Sequence, residues 1–231
     1  MKAGTRKRTL ESLWKLVWKD IDKSRIRRAK QEAKAGAVAQ LAVKEGEIQA
    51  VVRTGGPTRG SYHVSIPLLA DYTAHRQEVV RWLTYCPRWI AAHFAGQWDE
   101  GFWTFIEENE LAVFPNDTTL EKLQWGTKCT CSDWEPLCVH ALTVLAEMVA
   151  QAEERPLRIF RFVGLEETDL LDGVHQMSAD IYETVQSNWI RTIAEQKTPS
   201  DGETCDWMYE VEESTPSGRL VPQFRAGTSN S

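Results

Sequence analysis

The stretch Cys129-Thr130-Cys131-Ser132-Asp133-Trp134-Glu135-Pro136-Leu137-Cys138-Val139-His140 holds three cysteines and a histidine at the spacing C-x-C-x6-C-x-H. In an extended segment, side chains two apart share a face, so Cys129 and Cys131 aim at one ion if they sit on a strand, with Lys128 and Thr130 turned away. On a helix the same spacing puts side chains on nearly opposite sides. Cys138 and His140 are therefore expected to straddle a helix start, with the chain fully helical from Ala141. The positive end of that helix favours the thiolate a metal requires. The six residues between the pairs suffice for a turn back, stiffened by Pro136. Four nitrogen and sulfur donors with no spare position suit one structural Zn2+ in a closed tetrahedron.

Other readings of the same residues remain open. Clustered cysteines also fit small buried hydrophobes, a disulfide, or a Cys138–His140 nucleophilic pair. The nucleophile reading lacks an orienting third residue and an oxyanion donor. Trp134, between the ligand pairs, fits a cover over the metal better than a platform for a stacked base. Cys86, Cys205, His63, His75, His93 and His175 have no mutual ligand spacing and receive no role.

Upstream, Leu10, Leu13, Trp14, Val17, Trp18 and Ile21 form one stripe of an amphipathic helix that Thr9 can cap. The stripe suits docking on a core or a partner more than anchoring in a membrane. From Gly36 the apolar period falls to two, predicting antiparallel strands over 36–43, 47–54 and 60–67. Residues 73–110 return to helical spacing, with breaks near Pro87 and Gly96 that predict two or three short helices. After Pro115 a short hairpin is expected around 123–131, then a helix over 139–152 that buries Leu142, Leu145, Met148 and Val149. A strand or helix pair is expected over 157–190. The Ser-, Thr-, Gly- and Pro-rich residues after about 196 predict a mobile acidic tail.

With 231 residues, 42% of them hydrophobic, the chain can bury a real core. No run of about 18 apolar residues occurs, which argues against a membrane span. Five cysteines, three of them within ten positions, argue against a secreted disulfide framework and for metal binding in a reducing compartment. The expected location is the cytoplasm, including the nucleoid. The net charge of −6 is unevenly spread: residues 1–34 carry twelve Lys or Arg against four Asp or Glu, a balance of +8, leaving −14 for the rest. Arg6, Lys7, Arg8, Lys23, Arg25, Arg27, Arg28 and Lys30 are candidate phosphate contacts for DNA or RNA, with a solvated helix face as the alternative.

The C-x-C-x6-C-x-H run followed by an apolar helix resembles the SWIM zinc finger, as found in bacterial stand-alone proteins. The likeness covers roughly residues 10–175: an early Trp-rich helix at Trp14, a strand-rich segment up to Ile66, helices, and Phe114-Pro115 ahead of the finger. Two positions depart from the family pattern. Val163 stands where the family's Leu-Arg-Gly step has arginine, and Val139 stands where bacterial relatives often carry a basic residue. The resemblance implies an α+β fold: a small antiparallel sheet, helices and a treble-like finger of short hairpin plus helix, with disordered termini. It also implies nucleic-acid or protein binding beside a SNF2-type ATPase, with no catalysis of the chain's own.

The expected organisation is a basic N-terminal helix or arm over 1–34, a strand-rich segment followed by helices over 35–110 and the finger over 111–153. A helical segment over 154–195 and the acidic tail over 196–231 complete it. The functional expectation is a zinc-binding module that contacts nucleic acid, or alternatively a protein adaptor that makes no DNA contact. No paired carboxylates, phosphate loop or open metal site points to an enzyme.

Overall fold

The computed structural model describes residues 10–55 and 60–195. Arg6, Lys7, Arg8, Thr9, Cys205 and the expected tail over 196–231 lie outside the described residues. The chain divides into one unit ending at Gln186 and a second beginning at Ser187, of which residues 187–195 are described and are helical.

The expected single N-terminal helix is broken. It forms α1 (Leu10–Leu13), α2 (Lys15–Trp18) and α3 (Lys23–Lys34), with a turn at Trp14. The break has two causes, one tertiary and one local. Trp14 is fully buried and packs on Phe162 with ring centroids 4.2 Å apart, and the Val17 N–H turns back to the Trp14 carbonyl at 3.0 Å. Asp22 then starts α3, its carboxylate accepting from the backbone N–H groups of Ser24 and Arg25. The apolar stripe still faces inward, with Leu10, Trp14 and Val17 buried.

The strands are β1 (Val38–Lys44), β2 (Glu47–Thr54), β3 (Gly60–Pro67) and the two-residue β4 (Lys128–Cys129), antiparallel in the order β1-β2-β3-β4. Lys44 pairs with Glu47 across a two-residue turn in which Glu45 and Gly46 both have positive φ. That backbone matches the twist of a tight hairpin. Ile48, Ala50 and Val52 on β2 and Val64 and Ile66 on β3 face the core.

Three short helices follow: α4 (Arg76–Tyr85), α5 (Pro87–Phe94) and α6 (Glu100–Glu108). Pro87 opens α5, where its missing N–H costs nothing, and Asp99 caps α6. The expected hairpin around 123–131 is absent. Helix α7 (Asp117–Gly126) occupies its first half, started by reciprocal bonds between Asn116 and Thr119, and β4 pairs with β3 instead.

Helix α8 (Val139–Glu154) is the central element. All six residues from Ala141 to Ala146 are buried, so its first turns are enclosed on every side. It packs against α3 and the sheet. A 3-10 stretch (Pro156–Val163) and a long α9 (Glu167–Glu195) follow, two helical elements where a strand or helix pair was expected. Gly164, at φ 90, provides the left-handed turn between them. No helix among the described residues is long and apolar enough to cross a membrane.

Candidate metal centre

Two elements deliver the ligands. Cys129 ends β4 opposite Val64, and the pairing continues one residue further through the Thr130 N–H to the His63 carbonyl at 3.1 Å. Cys131 follows in the turn. Cys138 is the N-cap of α8, its Sγ accepting from the Ala141 N–H at 3.4 Å, and His140 sits in the first turn. The expected strand end and helix start are therefore both present, although the strand stops at Cys129.

The ligand atoms of Cys129, Cys131, Cys138 and His140 all lie within 4.8 Å of one another. Among the described residues, no other group of three or more such side chains converges in this way. Zinc–sulfur and zinc–nitrogen bonds of ordinary length give tetrahedral edges of about 3.5–3.8 Å. Cys129 Sγ stands 3.8 Å from His140 Nδ1. The donor set and its spacing thus fit a zinc ion held through three sulfurs and Nδ1. No family model, curated protein or solved structure matches the chain.

Burial dominates the electrostatics. It pushes the Cys138 thiol far above its usual range, opposed by the Ala141 N–H, and it also raises Cys129. The expected help from the helix start is thus present but outweighed in the metal-free chain. Burial lowers the pKa of His140, reinforced by Arg28 and opposed in smaller measure by Glu32 and Asp133, and so favours the neutral imidazole a metal needs.

Trp134 does not cover the site: it is 89% exposed. Tyr62 provides a cover instead, its ring stacked on His140 with centroids 3.9 Å apart and planes 19° from parallel. The signal for Tyr62 lies in the β3 alternation, because Tyr62 shares a face with Val64, the partner of Cys129.

The candidate phosphate contacts separate into two sets. Lys23, Arg27 and Lys30 fall at i, i+4 and i+7 along one face of α3, and Lys34, which sequence reading missed, continues it at i+11. Arg25 and Arg28 point elsewhere. Arg25 pairs with Asp133 and Glu135 in the finger loop, and Arg28 bonds Glu32 at 2.9 Å. The helical period that groups Lys34 with the others was available in the sequence. The partners of Arg25 were not, since the nearer of them in sequence, Asp133, stands 108 residues away.

His93, given no role from sequence, is buried. Its Nδ1 accepts from the Leu157 N–H at 3.2 Å and its Nε2 bonds Glu167 at 2.9 Å. Glu167 also pairs with Arg155 and Arg158. This network joins α5, the 3-10 stretch and the start of α9.

Proposed function

We propose that this chain is a SWIM-type zinc-binding module without catalytic activity of its own. In this reading it holds one structural Zn2+ through Cys129, Cys131, Cys138 and His140. The carrying observation is the convergence of those four ligand atoms within 4.8 Å of one another. A four-ligand set leaves no open position for substrate or water, which favours a structural role. Bound zinc would tie β4 to the start of α8 and fix the loop between them.

In the proposed activity, the module contacts DNA or RNA through the α3 stripe of Lys23, Arg27, Lys30 and Lys34, as an accessory to a SNF2-type ATPase in the cytoplasm or nucleoid. Clustered cations on one helix face support phosphate contact. The test has two parts. Purified protein is expected to carry one zinc per chain, and Cys138→Ser to lose it. Metal content unchanged in that variant overturns the site. Oligonucleotide binding is expected to weaken steeply as salt rises, and no binding at low salt overturns the nucleic-acid role.

A second reading, a protein adaptor, is favoured by Trp134, which stands exposed between Asp133 and Glu135. Exposed tryptophans recur at interface centres, and two flanking acids disfavour phosphate. Co-purification of an ATPase that survives nuclease treatment, together with failure to bind oligonucleotides, would select this reading.

A further inference from the structure

We infer that Arg25 is a positioning residue of the metal centre: one guanidinium on α3 holds the loop that delivers Cys138, and so sets how tightly the site takes its ion. This rests on the zinc reading above.

The loop between the ligand pairs has little of its own to hold it. Ser132 through Pro136 are exposed and belong to no helix or strand. Within the loop, the Glu135 N–H donates to Asp133 Oδ1 at 3.2 Å. Arg25 supplies the connection to the rest of the fold. Its Nη2 donates to Asp133 Oδ2 at 3.0 Å and to the Leu137 carbonyl at 3.0 Å, and its Nη1 meets the Glu135 carboxylate. The Leu137 carbonyl immediately precedes Cys138. Leu137 is itself buried, so the peptide leading into the ligand is held from the core side and from the α3 side.

Arginine suits this place because its planar fork reaches several acceptors at once, which a lysine ammonium on a flexible stem does not reproduce. The support behind the fork is rigid. Asp22 caps α3, its carboxylate accepting from the backbone N–H groups of Ser24 and of Arg25 itself, Ala29 and Ala33 bury its inner face, and Thr143 on α8 donates to Glu32 at 3.3 Å. The Arg25 side chain is only 16% exposed, so water competes weakly for these bonds.

Individual surface ion pairs contribute little to folding. Ordering a six-residue loop, by contrast, costs entropy at every residue. A clamp that orders the loop before the ion arrives removes that cost from metal binding, so its effect belongs in metal affinity more than in the stability of the metal-free chain. Outer groups that orient metal ligands typically change affinity by about ten- to a hundredfold.

The experiment uses the full chain in wild-type form, as Arg25→Gln, as the double variant Asp133→Asn/Glu135→Gln, and as all three changes together. Zinc affinity is read by competition with a chromophoric chelator, the ligand set by the visible spectrum of the Co2+-loaded protein, and the metal-free fold by thermal unfolding in chelator. Arg25→Gln is expected to bind Zn2+ about ten- to a hundredfold more weakly, with the tetrahedral Co2+ spectrum retained at saturation. The double variant, which keeps the Arg25 bond to the Leu137 carbonyl, is expected to show a smaller loss, and the combined variant little more than Arg25→Gln alone. Unchanged zinc affinity in Arg25→Gln, with only the metal-free fold weakened, would overturn the positioning role. So would losses that multiply independently in the combined variant. If Arg25→Gln fails to fold, wild-type affinity in the double variant overturns the inference by itself. A wild-type chain that takes up no zinc overturns the metal centre, a result distinct from any of these.

Discussion

At the residue scale, the centre depends on side chains of unequal visibility. The ligands declare themselves by spacing, whereas Tyr62 contributes through an aromatic face laid against His140. Removing that face in Tyr62→Ala is expected to cost about 0.5–1.5 kcal/mol beyond the lost area, as aromatic contacts generally do. Tyr62→Phe keeps the stack and is expected to stay near wild type. Urea unfolding of the zinc-loaded protein measures both. Trp134→Ala is expected to move stability by no more than about 0.5 kcal/mol, because an exposed side chain leaves little behind when truncated. A large loss there would mean that Trp134 packs on something the exposed loop does not offer.

At the element scale, helix α7 depends on its first turn. Asn116 and Thr119 satisfy each other's backbone N–H groups, so Asn116→Ala is expected to cost about 1 kcal/mol, measurable by chemical denaturation. The same turn explains why α7 was not legible. Its apolar pattern is thin: Leu123 is its buried apolar residue while Trp125 faces solvent, so a capping interaction carries what periodicity does not. The strands were legible within a residue or two because alternation and the Glu45-Gly46 turn agree. Helix α8 was legible because Leu142, Leu145, Met148 and Val149 recur at helical spacing. Leu145→Ala, which removes a fully buried side chain from it, is expected to cost about 2–5 kcal/mol in the same measurement. The break at Trp14 was not legible, since the stripe from Leu10 to Ile21 keeps its period across the turn. In the site, the convergence of the four candidate ligands was legible from spacing and the Arg25 contacts were not, because nothing local marks one arginine of a basic run as the one that reaches this loop.

At the scale of the whole molecule, the His93 network predicts how stability follows pH. The Leu157 N–H already points at Nδ1, so a second imidazole proton would meet a donor, and burial holds the His93 pKa below its ordinary 6.5. The Glu167 pKa also lies below its ordinary 4.5: burial opposes ionisation, but Arg158 and then Arg155 outweigh it. Both groups bind protons more readily when unfolded, so the stability they contribute is present above those ordinary values and is lost as pH falls. The decline is expected to begin below about pH 6.5 through His93 and to steepen below about pH 4.5 through Glu167. Comparing wild type with His93→Gln at each pH cancels the metal's own pH dependence. A difference between them that stays constant from pH 8 to pH 5 would remove His93 from the account.

The contact between Arg25 and Asp133 also sets an order of events during synthesis. The helix bearing Arg25 leaves the ribosome 108 residues before its partner does, an interval of about 5–20 s at ordinary elongation rates. Throughout that interval the Ala29 and Ala33 face of α3 has no α8 to cover it. The newborn chain therefore leaves the Ala29 and Ala33 face uncovered until residue 140 and the turns beyond it emerge.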